Sequence, residues 1–226
     1  MEENSIRLIT TSDGSHSLYN PQLKETYHST HGALTESLHV FIKEGLELLV
    51  QEGCKQISIL EVGFGTGLNA LLVWDFALKH SDVQIHYETL EPFPLDQQLY
   101  QLLNYTTLFE SHVSAEQFQS LHTAAWAEPQ SLNENFTFVK HKTSLKDFRS
   151  EYKFNLVFYD AFAPSKQAEM WDVEALGCTY SMMDEKAVLV TYCAQGQFKR
   201  NLAGLGLQVE TIDGPPGKKE MVRARK

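Results

Sequence analysis

The chain has 226 residues, and its 29 acidic and 19 basic side chains give it a formal net charge of −10. This excess of acid argues against non-specific binding to nucleic acid, because phosphates attract basic surfaces. A chain of this length can bury one sizeable core, so we expect one globular domain. The sequence has no apolar stretch long enough to cross a bilayer, and its first residues lack the basic-then-apolar order of an export signal.

The cysteines and the C-terminal charges point to a compartment and to a surface. Cys54, Cys178 and Cys193 are scattered, without a C-x-x-C pair, which favours reduced thiols in a cytoplasmic protein over disulfides or zinc. Residues 197–226 contain seven basic and three acidic residues, so this tail carries +4 and the remainder −14. The tail is either a phosphate-binding surface or a solvated chain end.

Apolar residues recur at helical spacing over residues 36–51, which predicts a first helix. A β-rich run at 57–62 leads through a glycine cluster into a helix at 68–80, which is apolar on nearly all sides and therefore buried. Strands and helices alternate beyond it. The predicted strands are 83–91, 136–140, 154–160, 187–193, 207–213 and 221–225, and the predicted helices are 95–104, 115–126, 169–183 and 195–202. Ser114 and Gln117 have the spacing of a capping box at the start of one helix.

This alternation predicts an α/β fold with a doubly wound, mostly parallel sheet and helices on both faces. The last two strands are joined by DGPPGKK, which is too short for a helical crossover, so they should form an antiparallel hairpin. A Rossmann-like, mostly parallel sheet with one reversed C-terminal strand is the layout of class I methyltransferases. We assign residues 36–226 to this domain and residues 1–35 to an N-terminal segment or flap.

Three glycines lie between the first strand of the alternation and the helix that follows. Gly63, Gly65 and Gly67 permit positive φ and a close approach of a ligand to the backbone. Their G-x-G-x-G spacing differs from the G-x-G-x-x-G of dinucleotide-binding proteins, and no Gly-Lys-Ser/Thr of a P-loop follows. The loop resembles the first motif of class I methyltransferases, E/D-x-G-x-G-x-G, whose backbone holds the methionine part of S-adenosylmethionine. The resemblance implies cofactor contacts by Glu61, Gly63, Phe64, Gly65, Thr66, Gly67 and Asn69.

Two acidic residues end predicted strands near this loop. Glu91 ends the second strand, where a carboxylate would bridge both ribose hydroxyls of a nucleoside. Glu88 is the alternative, but its predicted place inside the strand disfavours it. Asp160 follows an apolar strand, which should deliver its carboxylate to the crevice at the carboxyl ends of the sheet. Asp160 could instead only cap the following turn.

Four stretches resemble one specific family. They are YHSTHGALTES at 27–37, EVGFGTGLN at 61–69, LEPFPL at 90–95 and DAFAPSKQAEMW at 160–171, with a weaker likeness at 217–221. With these stretches the chain resembles the tRNA 5-methylaminomethyl-2-thiouridine methyltransferases of the MnmC/MnmD type. The resemblance implies methyl transfer from S-adenosylmethionine to the amine of 5-aminomethyl-(2-thio)uridine at the wobble position, in the anticodon loop of tRNA. The chain ends soon after its last predicted strand, so we expect the methyltransferase without the flavin-dependent oxidase to which this domain is fused in some bacteria.

The resemblance also implies roles for particular residues. Asp160 would hold the acceptor amine, acting as the catalytic residue at the edge of the cofactor site. Tyr27, Ser29 and Glu36 would belong to a flap over the cofactor. Many class I enzymes place an Asp against adenine after the third strand; this chain has no Asp there, so the contact would come from Thr143 or from the backbone. Ala168 replaces a proline that is frequent in the family, a change expected to alter only a turn.

The substrate residues are predicted in two groups. Phe162, Pro164 and Trp171 could wall a pocket in which a base turned out of the loop stacks, or they could pack the edge of the sheet. The second group consists of basic residues that could contact phosphates, and its members are Lys166, Lys199, Arg200, Lys218 and Lys219.

Other chemistries find less support. His28-x-x-His31 lacks a carboxylate or cysteine at supporting spacing, so no metal site is predicted. Neither G-x-S-x-G nor H-E-x-x-H occurs, which removes the usual starting points for a hydrolase. Two alternatives share the fold: a small-amine transferase of the spermidine-synthase type, and a non-catalytic RNA-binding adaptor. An adaptor would not need an intact glycine loop together with Glu91 and Asp160.

Overall fold

A small antiparallel sheet precedes the main domain. The computed structural model of the protein describes residues 5–226, so the first four residues of the predicted segment 1–35 lie outside the described residues. The small sheet has three strands in the order β1-β2-β3, namely β1 Arg7–Thr10, β2 His16–Asn20 and β3 Glu25–Thr26. These strands were not predicted, because they are short and their sequences do not show a sustained alternation of apolar and polar residues.

The predicted helix over 36–51 is confirmed, although it begins earlier and is irregular. It runs without a break through α1 Ala33–Ser37, a π-helical stretch Leu38–Glu47 and α2 Leu48–Gln51. Gly45 lets this helix lie close to the main sheet, since a Cβ there would be 3.1 Å from the Val190 side chain. On the same face the rings of Phe41 and Phe158 are 5.1 Å apart.

The main sheet has eight strands in the order β10-β11-β9-β8-β4-β5-β7-β6. Their bounds are β4 Gln56–Val62, β5 Gln84–Leu90, β6 Gln130–Asn133, β7 Phe136–His141, β8 Phe154–Tyr159, β9 Met183–Thr191, β10 Gln208–Asp213 and β11 Glu220–Arg225. The strands β9, β8, β4, β5 and β7 are parallel neighbours, and β10 and β11 form the predicted antiparallel hairpin. Strand β6, antiparallel to β7 at the other edge, was missed because its sequence QSLN is polar.

Helices cover the sheet between these strands. They are α3 Leu68–Lys79, α4 Gln97–Tyr100, α5 Ala115–Thr123, α6 Val173–Met182 and α7 Gly196–Gly204. The capping box of Ser114 and Gln117 is confirmed at the start of α5. Helix α4 is shorter than the predicted 95–104, and Asn104 lies beyond it because its side chain accepts the His16 N–H and donates to the Gly14 carbonyl. Helix α6 starts later than predicted, at the N-cap Asp172.

The sheet separates two apolar cores and brings the ends of its central strands together. One core contains Phe41, Trp74 and Phe138, and the other contains Tyr159, Trp171 and Phe198. Because β4, β5 and β8 are parallel neighbours, the residues that follow them meet at one edge, where doubly wound sheets bind ligands. Among the described residues, no helix is both long and apolar enough to span a membrane.

Candidate active site

The glycine loop after β4 makes the predicted tight bend. Gly63, Gly65 and Gly67 have φ angles of +98°, +52° and +76°, in the left-handed region that favours glycine. The chain also passes too close to β8 for a larger residue, since a Cβ on Gly63 would be 2.6 Å from the Asp160 carbonyl oxygen. The loop is tied to β5 through the Gly63 N–H, which donates to the Leu90 carbonyl at 3.1 Å.

Glu91, directly after β5, faces this loop. Its Oε2 accepts the Gly65 N–H at 2.8 Å and its Oε1 accepts the Phe93 N–H at 2.8 Å. Burial raises the pKa of the Glu91 carboxyl, and the two backbone N–H groups oppose that shift. Glu91 lines the large cavity described below.

Glu88, the alternative carboxylate, lies elsewhere. It is within β5, and its two oxygens are hydrogen-bonded to His86 at 2.8 Å and to His141 at 2.6 Å. Burial alone would raise the pKa of Glu88, but the bonds from His141 and His86 outweigh burial and lower it to about 2. Glu88 is not part of the cavity lining, so the geometry agrees with the preference for Glu91.

Asp160 follows β8 and is joined to helix α3. Asn69 Nδ2 donates to Asp160 Oδ2 at 2.9 Å, so the side chain does not simply cap its own turn. Burial, reinforced by the nearby negative charge of Glu36, raises the pKa of Asp160 to about 7, against the opposing Asn69 bond and Lys218 charge. Asp160 lines the cavity next to the glycine loop, with a pKa near neutral pH.

Glu61 lies beneath the loop rather than in the cavity. Its Oε2 accepts the Thr89 hydroxyl at 2.6 Å, while its Oε1 is buried without a hydrogen-bond partner. Burial raises the pKa of Glu61 to about 8. Neither Glu61 nor Gly67 is among the lining residues, so their contact with the cofactor stays a prediction. In the structure both residues belong to the packing of the glycine loop and the strand before it.

The N-terminal segment covers the other side of the cavity. His28 Nε2 and Thr66 Oγ1 are 2.7 Å apart and hydrogen-bonded, which fastens the segment to the glycine loop. Burial lowers the pKa of His28 to about 4, so its ring is neutral at pH 7. The Ser29 N–H donates to Glu36 Oε1 at 3.0 Å. No group of three or more potential metal-binding side chains occurs within residues 5–226.

Tyr27 forms one aromatic wall of the same cavity. Its ring meets the ring of Phe162 edge to face, with centroids 5.0 Å apart. A Cβ on Gly65 would lie 3.3 Å from the Tyr27 ring. Burial raises the pKa of Tyr27 to about 12, and the charge of Glu91 adds to the rise. Tyr27 therefore stays a neutral hydrogen-bonding group between the glycine loop and Phe162.

These elements enclose a cavity of about 790 Å³, within the usual range for small-molecule sites. Most of the predicted site residues line it: Tyr27, Ser29, Glu36, Gly63, Phe64, Gly65, Thr66, Asn69, Glu91, Thr143, Asp160, Phe162 and Lys218. Residues from both ends of the chain and from the centre of the sheet thus meet around one space.

Trp171 does not line this cavity, which favours the second of its two predicted roles, packing the edge of the sheet, over stacking on a base. Its side chain is only 4 % exposed, and its ring packs against Tyr159 and Phe198 at centroid distances of 5.2 and 5.0 Å. Its Nε1–H donates to the Phe162 carbonyl at 2.8 Å. Trp171 therefore packs the core, as the alternative interpretation held, and supports Phe162. Pro164 also lies outside the lining.

The basic residues do not form one free patch. Lys218 is inside the cavity, paired with Glu36. Lys199 Nζ donates to Thr211 Oγ1 at 3.2 Å, and Arg200 donates to Gln197 Oε1 at 2.8 Å. Other tail residues are also paired, as Arg223 bonds to Glu44 and Glu210, and Arg225 bonds to Glu52. Lys166 and Lys219 lie outside the cavity lining.

Two of the lining residues that the sequence analysis did not select have a side chain with a clear place in the site. Tyr192, just after β9, donates its hydroxyl to the Ala161 carbonyl at 2.8 Å, and burial raises its pKa well above the ordinary value. Phe93 is 78 % exposed at the rim of the cavity. Nothing in the sequence around Tyr192 signals a site, whereas Phe93 follows Glu91 within the stretch LEPFPL and could have been chosen.

The lining fits a nucleoside cofactor that carries a positive charge. The bend at Gly63 and Gly65 leaves backbone open to a ligand, and Glu91 supplies a carboxylate on the same wall. Asn69 Oδ1 is buried without a hydrogen-bond partner in the described structure, as expected of an acceptor close to a ligand site. Carboxylates at Glu91, Glu36 and Asp160 suit a sulfonium and an ammonium group.

Comparison with known proteins agrees with this chemistry. Two relatives carry the name tRNA 5-methylaminomethyl-2-thiouridine biosynthesis bifunctional protein MnmC, one from Burkholderia multivorans and one from Cupriavidus metallidurans. Each is 28 % identical to this chain, over 91 % and 96 % of its length respectively. The chain spans about a third of the length of these relatives, 33 % in each case. The crystal structure of MNMC2 from Aquifex aeolicus superposes with a TM-score of 0.77 at 25 % identity, covering 99 % of this chain and 71 % of that one.

The family model for S-adenosyl-L-methionine-dependent methyltransferases matches residues 101–226, more than half of the chain. That stretch contains Asp160, Tyr192, Lys218 and the C-terminal hairpin. The fold, the match and the carboxylate-lined cavity agree: the chain belongs to the family of S-adenosyl-L-methionine-dependent methyltransferases.

Proposed function

We propose that the chain methylates the exocyclic amine of 5-aminomethyl-(2-thio)uridine at the wobble position of tRNA, giving 5-methylaminomethyl-(2-thio)uridine. The names of the relatives motivate the substrate. The observation that carries the proposal is the position of Asp160, a half-buried carboxylate that lines the same cavity as the glycine loop and the aromatic rings of Tyr27 and Phe162. An amine next to flat rings is what such a pocket would receive from a modified base.

Several lining residues would hold the cofactor. The backbone of Gly63 and Gly65 would carry its methionine part, and Glu91 would accept hydrogen bonds from the ribose hydroxyls. Thr143 and Phe93 also line the cavity and would border the adenine. When bound, S-adenosylmethionine supplies an electrophilic methyl group on a sulfonium. Residues 5–35 would act as the flap, because His28 fixes them against Thr66.

The acceptor amine must be neutral to react. An alkylamine with a pKa of about 10.4 is almost entirely protonated at pH 7, and only the neutral form has a free lone pair. Asp160 would accept a hydrogen bond from this amine and receive its proton, or pass it to water, before the nitrogen attacks. The pKa of about 7 at Asp160 suits a group that both holds and releases a proton near neutral pH.

The substrate base would lie between aromatic side chains. Tyr27 and Phe162 already meet edge to face, and Phe162 is held from behind by the Trp171 indole N–H. A base turned out of the anticodon loop would stack on such rings, as bases do in other RNA-binding proteins. The exposed ring of Phe93 at the rim offers a further stacking surface for the same loop.

Incubation with labelled S-adenosylmethionine and tRNA from a strain that lacks the methylation step tests this function. We expect label in the wobble nucleoside, identified by digestion and chromatography, and a much lower rate of labelling when Asp160 is replaced by Asn. tRNA that already carries the methyl group is the matched substrate control. Absence of label in tRNA would contradict the proposal, and transfer of the aminopropyl group of decarboxylated S-adenosylmethionine to a polyamine in a parallel assay would favour the small-amine alternative.

A further inference from the structure

A lysine from the C-terminal hairpin reaches into the cavity and pairs with a glutamate from the other end of the chain. Lys218 Nζ donates to Glu36 Oε2, although 182 residues separate the two. The same Nζ lies 3.8 Å from the centroid of the Tyr192 ring, in a cation–π contact. Lys218, Glu36, Tyr192 and Asp160 all line the cavity.

Both partners are held firmly in place. The other Glu36 oxygen, Oε1, accepts the Ser29 N–H at 3.0 Å, and the Glu36 side chain is only 6 % exposed. Gly217, with a φ of +86°, lets the hairpin loop lie against the ring of His31 where a Cβ would not fit. The Lys218 backbone N–H donates to the Pro215 carbonyl at 2.9 Å. The loop that carries Lys218 is therefore held in place, and its ammonium has two defined partners, the Glu36 carboxylate and the Tyr192 ring.

The acceptor end of the cavity holds two carboxylates and one ammonium. Glu36 acts on Asp160 as a neighbouring negative charge, and Lys218 acts on it as a neighbouring positive charge. Without Lys218, two carboxylates would face any amine that enters. Such a pocket would bind an alkylammonium well but would also hold it in its protonated, unreactive form.

We propose that the Lys218 ammonium cancels the charge of Glu36, so that the pocket around Asp160 accepts an alkylamine without holding it as an ammonium. This inference rests on the proposed function, since it concerns the amine acceptor. Lys218 acts here as a positioning residue through Glu36 and Asp160, and not as a phosphate contact on the surface. The Gly-Lys-Lys turn of the hairpin would thus place a positive charge beside Glu36, a role that the sequence alone did not suggest.

The methyl transfer balances with this arrangement. The substrate ammonium first loses one proton to Asp160 or to water. The nitrogen lone pair then forms the bond to the methyl carbon, while the carbon–sulfur bond breaks and its electron pair stays on sulfur. The product is a secondary ammonium and a neutral thioether. Lys218 exchanges no proton in these steps and contributes only its charge.

Titratable groups from several elements lie close to the Lys218 ammonium. Glu36 comes from α1, Asp160 follows β8, Tyr192 and Cys193 follow β9, and His28 belongs to the N-terminal segment. His28 is neutral at pH 7, and burial keeps Tyr192 and Cys193 protonated, so these three carry no charge there. Glu36 and Asp160 are therefore the carboxylates on which the charge of Lys218 acts in this comparison.

The test is the pH dependence of kcat/KM for methylation of tRNA by the Lys218→Met variant. We expect the acidic limb to move to higher pH by about one unit, with a roughly tenfold lower rate at pH 7 that recovers at pH 9. Lys218→Arg, which keeps the charge, should retain the wild-type profile. The double variant Glu36→Gln/Lys218→Met, which removes both charges, should bring the limb back towards its wild-type position.

Lys43→Met is the matched control, because it removes an exposed lysine that pairs with Glu44 outside the cavity. Its profile should not change. Affinity for S-adenosylhomocysteine and the thermal midpoint are measured for each variant to separate charge effects from misfolding. An unmoved acidic limb in Lys218→Met, or no recovery in the double variant, would overturn the inference. If wild-type protein methylates no tRNA at any pH, the proposed function fails instead.

Discussion

Asn69, in the first turn of helix α3, donates its side-chain amide to the carboxylate of Asp160 at 2.9 Å, across 91 residues of sequence. Gly63 lies in the same contact region, with no room for a Cβ beside the Asp160 carbonyl. The cofactor loop and the candidate catalytic carboxylate are therefore one packed unit. Displacement of either one would move the other.

Asp160→Asn should lower kcat far more than it lowers cofactor affinity. The amide keeps the shape but accepts no proton, and loss of a general base typically costs about 10²–10⁴ in rate. Single-turnover methylation gives the rate, and calorimetry with S-adenosylhomocysteine gives the affinity. Equal losses in both would place Asp160 in the cofactor site alone.

Glu91→Gln should lower the affinity for S-adenosylhomocysteine about 10- to 100-fold, which is the usual cost of losing a hydrogen bond to a charged group. Glu88→Gln is the matched control, from the same strand region and with equal burial at 8 % exposure. It loses partners in His86 and His141 but does not line the cavity. We expect calorimetry to show unchanged affinity for the Glu88 variant. A similar loss in both variants would contradict the assignment of the ribose contact.

Trp171→Ala should reduce the free energy of unfolding by about 3–5 kcal/mol, the cost of truncating a buried tryptophan. Phe162→Ala should instead leave stability nearly unchanged and reduce turnover, because Phe162 lines the cavity and Trp171 does not. Urea unfolding and tRNA methylation measured side by side separate the two. A Trp171 variant that stays stable but binds tRNA more weakly would instead indicate that Trp171 stacks on the base.

Glu61→Gln should make stability less dependent on pH. The pKa of Glu61 rises from an ordinary 4.5 to about 8 on folding, so between these values the folded protein holds a proton that the unfolded chain has released. Stability therefore falls as pH rises through this window, by at most about 5 kcal/mol. In urea unfolding, the free energy of unfolding of the Gln variant should increase relative to that of the wild type between pH 5.5 and pH 8. A gap that stays constant would show that Glu61 keeps an ordinary pKa.

Features that depend on residues close in sequence could be predicted from the sequence. The bend at Gly63, the preference for Glu91 over Glu88 and the C-terminal hairpin each followed from a short run of residues whose chemistry allows few structures. The capping box at Ser114 was likewise local. These features depend on neighbours in sequence, so spacing and residue type were sufficient.

Contacts between distant segments could not be predicted in this way. The pairing of Lys218 with Glu36 and the hydroxyl of Tyr192 on Ala161 depend on how far apart the hairpin, α1 and β8 lie after folding. Trp171 illustrates the same limit: an aromatic residue in a site-like motif was buried by α7 and β8, and only the packing decides whether its ring faces a cavity or a core.

The most direct test of the central claim is a crystal structure of the protein with S-adenosylhomocysteine bound. The claim is that one cavity, bounded by the glycine loop, Glu91 and Asp160, holds both the cofactor and the acceptor amine. We predict that the ribose hydroxyls meet the Glu91 carboxylate and that the sulfur atom faces Asp160 across the space beside Phe162. A nucleoside bound elsewhere, or a sulfur atom turned away from Asp160, would contradict the account.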